Sequence, residues 1–210
     1  MPKYDVAFTK GVGMGRRPKN ISDNEDLREK ILNSALVLFT TKGYFNTSTQ
    51  DIRRDANISI GAVYHHFSSK EEIAKVLYNN LLEKSTRAFE EIMLRYDTAH
   101  DRCRAIMALL FELTETRPAE MEFMLYAKHR EFIPSATPIC SSKPLAMMGE
   151  IVQVGIANKE IKDIELVLVT SCLFGGMFRL INLRLDCTIE GPLSKHLDTA
   201  WKCAWRGVSL

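Results

Sequence analysis

TSTQDIRRDANISIGAVYHHFSSKEE, residues 47–72, decides the fold. Thr47 or Ser48 can cap a short helix running to about Ala56, because a hydroxyl there accepts an N–H that the helix start leaves free. Asn57-Ile58-Ser59 is a tight connection, and Asn57 tolerates the left-handed backbone that such a turn needs. Ser59 caps a second short helix to about His66, and Ser68-Ser69 breaks the chain again. Ser69 and Glu72 have capping-box spacing and open a long helix with Ile73, Leu77, Leu81, Phe89, Ile92 and Tyr96 on one face. Two short helices on a three-residue turn form a helix-turn-helix, whose second helix protrudes far enough to enter a DNA major groove.

Upstream, Leu27, Ile31, Ala35, Leu38 and Phe39 recur at helical steps after a possible Ser22/Glu25 capping box, and Gly43 ends that helix. Before it, residues 1–21 read as a flexible basic arm punctuated by Gly11, Gly13, Gly15 and Pro18. Its Arg16, Arg17 and Lys19 either enter a minor groove or only raise nonspecific affinity. Residues 1–70 carry 11 Lys/Arg against 7 Asp/Glu, while the rest of the chain is acidic on balance. A basic front half suits a phosphate-binding surface.

The residues Gly43-Tyr44, Thr47-Ser48-Thr49, Asp51-Ile52, Ile58-Ser59-Ile60-Gly61, Val63-Tyr64, His66-Phe67 and Ser69-Lys70-Glu71 stand in the order and spacing of the TetR-family N-terminal signature, which the chain resembles over about residues 27–80. It departs from the pattern at Arg53-Arg54-Asp55, which is unusually charged, and at Asn57, where glycine is customary. The resemblance implies that Thr47 and Thr49 meet phosphates and that Gln50 reaches a base. It places Ser59, Ile60, Gly61 and Ala62 at the tip of the reading helix, with Tyr64 and His65 on the DNA backbone or a thymine methyl. Lys70 is expected on a phosphate, helped by the helix N-terminus it opens. Val63 and Phe67 read as core; His66 reads equally as core or as a DNA contact.

Beyond the long helix, helices are expected at roughly 100–115, 118–132, 143–158, 164–185 and 192–206, with no convincing strand. The fold class is therefore all-α, about nine helices. Residues 22–70 form the helix-turn-helix domain and residues 71–210 a helical bundle for effector binding and dimerisation. Seven of nine methionines fall between Met93 and Met177, beside several aromatics. Such an interior is either an ordinary core or a pocket for a small hydrophobic effector, and the family resemblance favours the pocket. Its expected lining is Phe89, Met93, Met107, Phe111, Phe123, Met124, Tyr126, His129, Met147 and Phe174. Lys128, His129 and Arg130 either neutralise a ligand carboxylate there or form a solvated face.

For dimerisation, Cys172, Gly175 and Gly176 permit close helix approach, and Leu193, Leu197, Trp201, Ala204 and Trp205 make an apolar stripe on the last helix. The family-weighted function is a cytoplasmic repressor that binds a near-palindromic operator as a homodimer and is released by a small hydrophobic effector. The apolar run Leu166 to Phe178 is too short for a membrane span and reads as a core helix. No cofactor or metal is expected. Gly11-x-Gly-x-Gly lacks a preceding strand, His129-Arg130-Glu131 lacks its P-C-x-x-C partner, and no G-x-S-x-G occurs, so an enzyme has little support. Five cysteines, an odd number without a C-x-x-C pair, point to reduced thiols, with Cys140 the candidate for redox sensing.

Overall fold

A computed structural model describes residues 21–135 and 141–210, with side chains from residue 24 onward. The basic arm with Arg16, Arg17 and Lys19 lies outside the described residues, as does Cys140, and the Ser22 side chain lies outside the described side chains.

The described chain folds into ten α-helices and one 3₁₀ turn: α1 Ile21–Thr41, α2 Thr49–Asp55, α3 Ile60–His66, α4 Lys70–Arg95, α5 Ala99–Thr116, α6 Pro118–Tyr126, α7 His129–Phe132, α8 Lys143–Ala157, α9 Leu166–Leu185, the 3₁₀ turn Leu193–His196 and α10 Leu197–Val208. Each boundary from α1 to α4 has a local cause. Gly43 turns the chain out of α1 at φ +84°. Ser48, not Thr47, caps α2 in a reciprocal box with Asp51. Asn57 holds φ +53° between α2 and α3, and Ser59 caps α3. Ser69 caps α4, while the Glu72 carboxylate accepts from the Ser68 backbone and hydroxyl.

Two expected helices come out divided. The segment 118–132 breaks after Tyr126, where Ala127 turns extended at ψ +129° and the His129 ring faces inward among Tyr78, Phe123 and Phe132. The last segment starts as the 3₁₀ turn and straightens into α10, giving ten α-helices rather than about nine.

Two apolar cores result. The first joins Ile31, Ala35, Phe39, Ile52, Val63 and Phe67 to the front half of α4 and to Phe123, Phe132 and Ile133. The second lies among the rear of α4, α5, α8, α9 and α10. Ile73, Leu77 and Leu81 of α4 belong to the first core, which α6 and α7 also join through Phe123, Phe132 and Ile133.

By length and composition, α9 is the one helix among the described residues long and apolar enough to cross a membrane. One of its faces packs on α5, α8 and α10, and Arg184 on it bridges to Glu115 of α5 at 2.9 Å.

Candidate nucleic-acid interface and ligand cavity

The ends of α2 and α3 present a polar surface outward. Thr49 Oγ1 lies 3.4 Å from the Tyr64 hydroxyl, which ties the start of α2 to the middle of α3. Gln50 is exposed and accepts from Arg53 Nε at 2.7 Å. Ser59, Gly61, Tyr64 and His65 are exposed on α3, while Ile60 and Ala62 are half-buried. A Cβ built at Gly61 would meet only the Ser59 hydroxyl, at 3.8 Å. Nothing inside the fold demands glycine there, so the bare backbone is available to something outside.

His66 is half-buried beside His65 and Arg28, and burial chiefly holds its imidazole below the ordinary histidine range. It is partly withdrawn from the surface, unlike its neighbour. Val63 and Phe67 are core, and the Arg28 guanidinium lies 5.4 Å from the Phe67 ring centre.

Two residues expected on phosphates turn toward their own chain instead. The Thr47 hydroxyl is buried and donates to the Leu38 and Gly43 carbonyls at 3.2 and 2.9 Å, closing the end of α1. Lys70 folds back, donating to the Tyr44 and Thr47 carbonyls at 2.8 and 2.7 Å, with its ammonium 4.1 Å from the Tyr44 ring centre. Burial lowers its pKa. Together they supply donors to the Gly43 and Thr47 carbonyls of the turn between α1 and α2, and second donors to Leu38 and Tyr44, which already accept from the Lys42 and Thr47 N–H groups. Sequence spacing could not show this, because the acceptors are main-chain atoms 23 and 26 residues away from Lys70.

In the second core, an apolar cavity of about 280 Å³ opens between α4, α5, α6 and α8. Phe89 and Met124, both expected, line it together with Leu82, Leu110, Met148 and Phe178. The other expected residues are elsewhere. Met107, Phe111, Met147 and Phe174 are packed solid, and Met93 packs half-buried at the core's edge. Phe123 and His129 lie in the aromatic junction under α1, and Tyr126 is exposed on α6. Lys128 and Arg130 are exposed, and none of the 128–130 trio lines the cavity. A methionine count locates a soft interior but not the gap within it. The i, i+4 pair Met121–Leu125 on α6, which lines the cavity, carried the missing signal.

The dimer stripe also divides. Leu193 and Trp201 are buried in the chain's own core, and Trp201 Nε1 donates to His100 Nε2 at 3.0 Å. Leu197, Ala204 and Trp205 are half-buried against the same core. Within the chain the stripe packs on α5 and α9. Cys172, Gly175 and Gly176 remain exposed on α9, near exposed Leu166, Val167 and Leu168.

The family model described as bacterial regulatory proteins, tetR family, matches residues 31–77, the segment from α1 into α4. The biofilm-operon negative regulator IcaR of Staphylococcus epidermidis is 35% identical over 69 residues, 33% of this chain and 35% of that protein. The match thus spans about a third of that relative's length. The repressor KstR2 of Mycolicibacterium smegmatis is 25% identical over 158 residues, 71% of this chain and 76% of its own. Among solved structures, a TetR family transcription regulator from Marinobacter aquaeolei superposes with a TM-score of 0.74 at 20% identity, covering 90% of this chain and 98% of that one. FadR of Bacillus subtilis, solved in complex with stearoyl-CoA, superposes with a TM-score of 0.72 at 19% identity, covering 85% and 98%.

Proposed function

We propose, for a chain that carries the DNA-binding domain of the tetR family of bacterial regulatory proteins, that it acts in the cytoplasm as a dimeric repressor released by a small apolar or amphipathic effector. The observation that carries the DNA reading is α3: a capped, protruding helix with Ser59, Gly61, Tyr64 and His65 exposed and a glycine that the interior does not require. Base edges are distinguishable in the major groove, where such a helix fits. Thr49, Gln50, Ile60 and Ala62 flank it as further contacts.

Dimerisation is assigned to the exposed face of α9, with Cys172, Gly175 and Gly176 at its centre. Two copies then present two α3 helices to successive major grooves, about 34–36 Å apart.

The 280 Å³ cavity supports effector binding, being just below the usual range for ligand pockets and almost wholly apolar in its walls. Residues 22–70 supply the reader and residues 71–210 the sensor and interface, with α4 shared between their cores. Coupling runs along α4 and also through α6–α7, whose Phe123 and Phe132 pack into the reader's core. A ligand that alters the seating of either path has different affinities for the two arrangements, as allostery requires. A coupling of about 1–3 kcal/mol gives a 5- to 150-fold loss of operator affinity.

The test titrates operator-bound protein with a panel of hydrophobic molecules, following ligand occupancy and DNA release together. Release in step with occupancy supports the reading. A ligand that saturates the cavity with operator affinity unchanged is not the effector. No binding by any member of the panel removes the sensing half of the proposal and leaves the DNA half standing.

A further inference from the structure

The apolar cavity adjoins a second one of about 210 Å³, and the two share Ser85, Leu113, Met121 and Met124 as walls. The first contains a single polar side chain, Ser85, whose hydroxyl already donates to the Leu81 carbonyl at 2.9 Å. Any charged group on a ligand must therefore leave the first cavity, since an unpaired buried charge is prohibitively costly. The second cavity is where it can go. Lys84, Arg117 and Glu120 stand on its rim and are the charged residues that line either space.

The rim is cationic on balance and loosely closed. Glu120 sits between the two cations, 3.5 Å from Lys84 Nζ and 3.7 Å from an Arg117 Nη. Charge-assisted hydrogen bonds run near 2.7–2.9 Å. Elsewhere in the chain Lys143–Glu90 and Arg184–Glu115 reach 2.7 and 2.9 Å. Lys84 and Arg117 thus hold Glu120 at longer range than a made bond. Both cations are about half-exposed, with room to turn toward a newcomer.

We propose that Lys84 and Arg117 form an anion-binding subsite at the mouth of the apolar cavity, so that the ligand class is an apolar chain ending in one anionic group. This rests on the effector-cavity reading above. The chain fills the space beneath Phe89 and Phe178, and the anion takes a place beside Glu120 between the two cations. Glu120 opposes the newcomer, being the one like charge on the rim. Its displacement is felt in α6, because Glu120 lies one turn before Phe123, the residue that α6 contributes to the reader's core.

The experiment compares decanoate with decan-1-ol by calorimetry on the full chain, with the same chain length and different head charge. In the wild type, decanoate is expected to bind about five- to tenfold tighter, the order of a pair of half-exposed charge contacts. Lys84→Met with Arg117→Met should abolish that preference and leave decan-1-ol affinity unchanged. Glu120→Gln should strengthen decanoate alone. Lys84 and Arg117 are half-exposed and Glu120→Gln keeps the side chain's shape, so the fold is retained. Leu113→Trp, which fills the wall common to both cavities, should remove both ligands.

Equal affinity for the two ligands, or a preference that survives the double substitution, overturns the subsite and leaves the cavity as a neutral-ligand site. Failure of both ligands to bind, or binding that survives Leu113→Trp, overturns the cavity reading itself and the subsite with it.

Discussion

Phe123 of α6 stacks on Phe39 of α1 with ring centres 6.3 Å apart and planes 23° apart, so α6 reaches into the core built on α1, α2 and α3. Phe132 adds a closer stack on Tyr44 at 4.1 Å. The two halves are thus joined side to side as well as end to end through α4.

That junction separates coupling from stability. Phe123→Leu should retain operator binding and weaken ligand-driven release, read as the ratio of operator affinities with and without ligand. Phe123→Ala, which leaves a cavity at a fully buried site, should cost about 3–5 kcal/mol in denaturant unfolding. An unchanged release ratio in Phe123→Leu would confine the coupling to α4.

Lys70 tests whether the clamp or the phosphate dominates. Lys70→Met leaves the Tyr44 and Thr47 carbonyls without their charged donor and should lower stability by about 1–3 kcal/mol. DNA affinity should fall with it, because the loosened turn lets α2 tilt and carry Thr49 and Gln50 off the duplex. Denaturant unfolding and competition with random DNA check both. Unchanged stability with a large loss of affinity would return Lys70 to the phosphates.

His129 gives the pH dependence its sign. Burial pushes its pKa down to about 4, from an ordinary value of 6.5, and the ring sits among Tyr78, Phe123 and Phe132. The unfolded chain therefore binds the extra proton first, and stability falls as pH drops from 6.5 toward 4, by at most about 3 kcal/mol. The hydrogen-bonded carboxylates Asp51, Glu72 and Asp101 have lowered pKa values, so their contributions are lost at more acid pH. His129→Phe should flatten the stability profile between pH 4 and 6.5. A profile unchanged by the substitution would remove His129 as its cause.

Gly175 and Gly176 test the α9 face. A Cβ at either meets nothing within 4 Å in its own chain. In an isolated helix, alanine would gain about 0.8–1 kcal/mol over glycine. Gly176→Leu should therefore leave the subunit folded and yield monomers in sedimentation. Trp201→Asp should unfold the subunit instead, since Trp201 is buried within it. A Gly176→Leu dimer indistinguishable from the wild type would move the interface off this face.

Local chemistry was legible and long-range partnership was not. The Asn57 turn and the Ser59 and Ser69 caps depend on neighbours within a few residues, and all three stand as read. Thr47, Lys70 and Trp201 share one feature that their sequence neighbours do not show. Each has a polar or apolar group suited to an outside partner, but finds its partner inside the chain. Periodicity gives a helix its buried face without saying whether the same chain or a second one covers it. The cavity lining was hidden similarly, since Met107 and Met148 are alike in sequence and only Met148 borders a gap.

The central claim is that α3 reads DNA as one of a symmetric pair. It is tested most directly by selecting duplexes from a random pool with the full chain, beside a Gly61→Leu variant whose fold the open site at Gly61 should preserve. The expected wild-type result is one two-fold symmetric site, with half-site centres about one helical turn apart and affinity falling steeply with salt. The variant should enrich nothing. A wild-type selection without a symmetric site, or the same site recovered by a folded Gly61→Leu protein, would contradict the assignment of α3 as the reader.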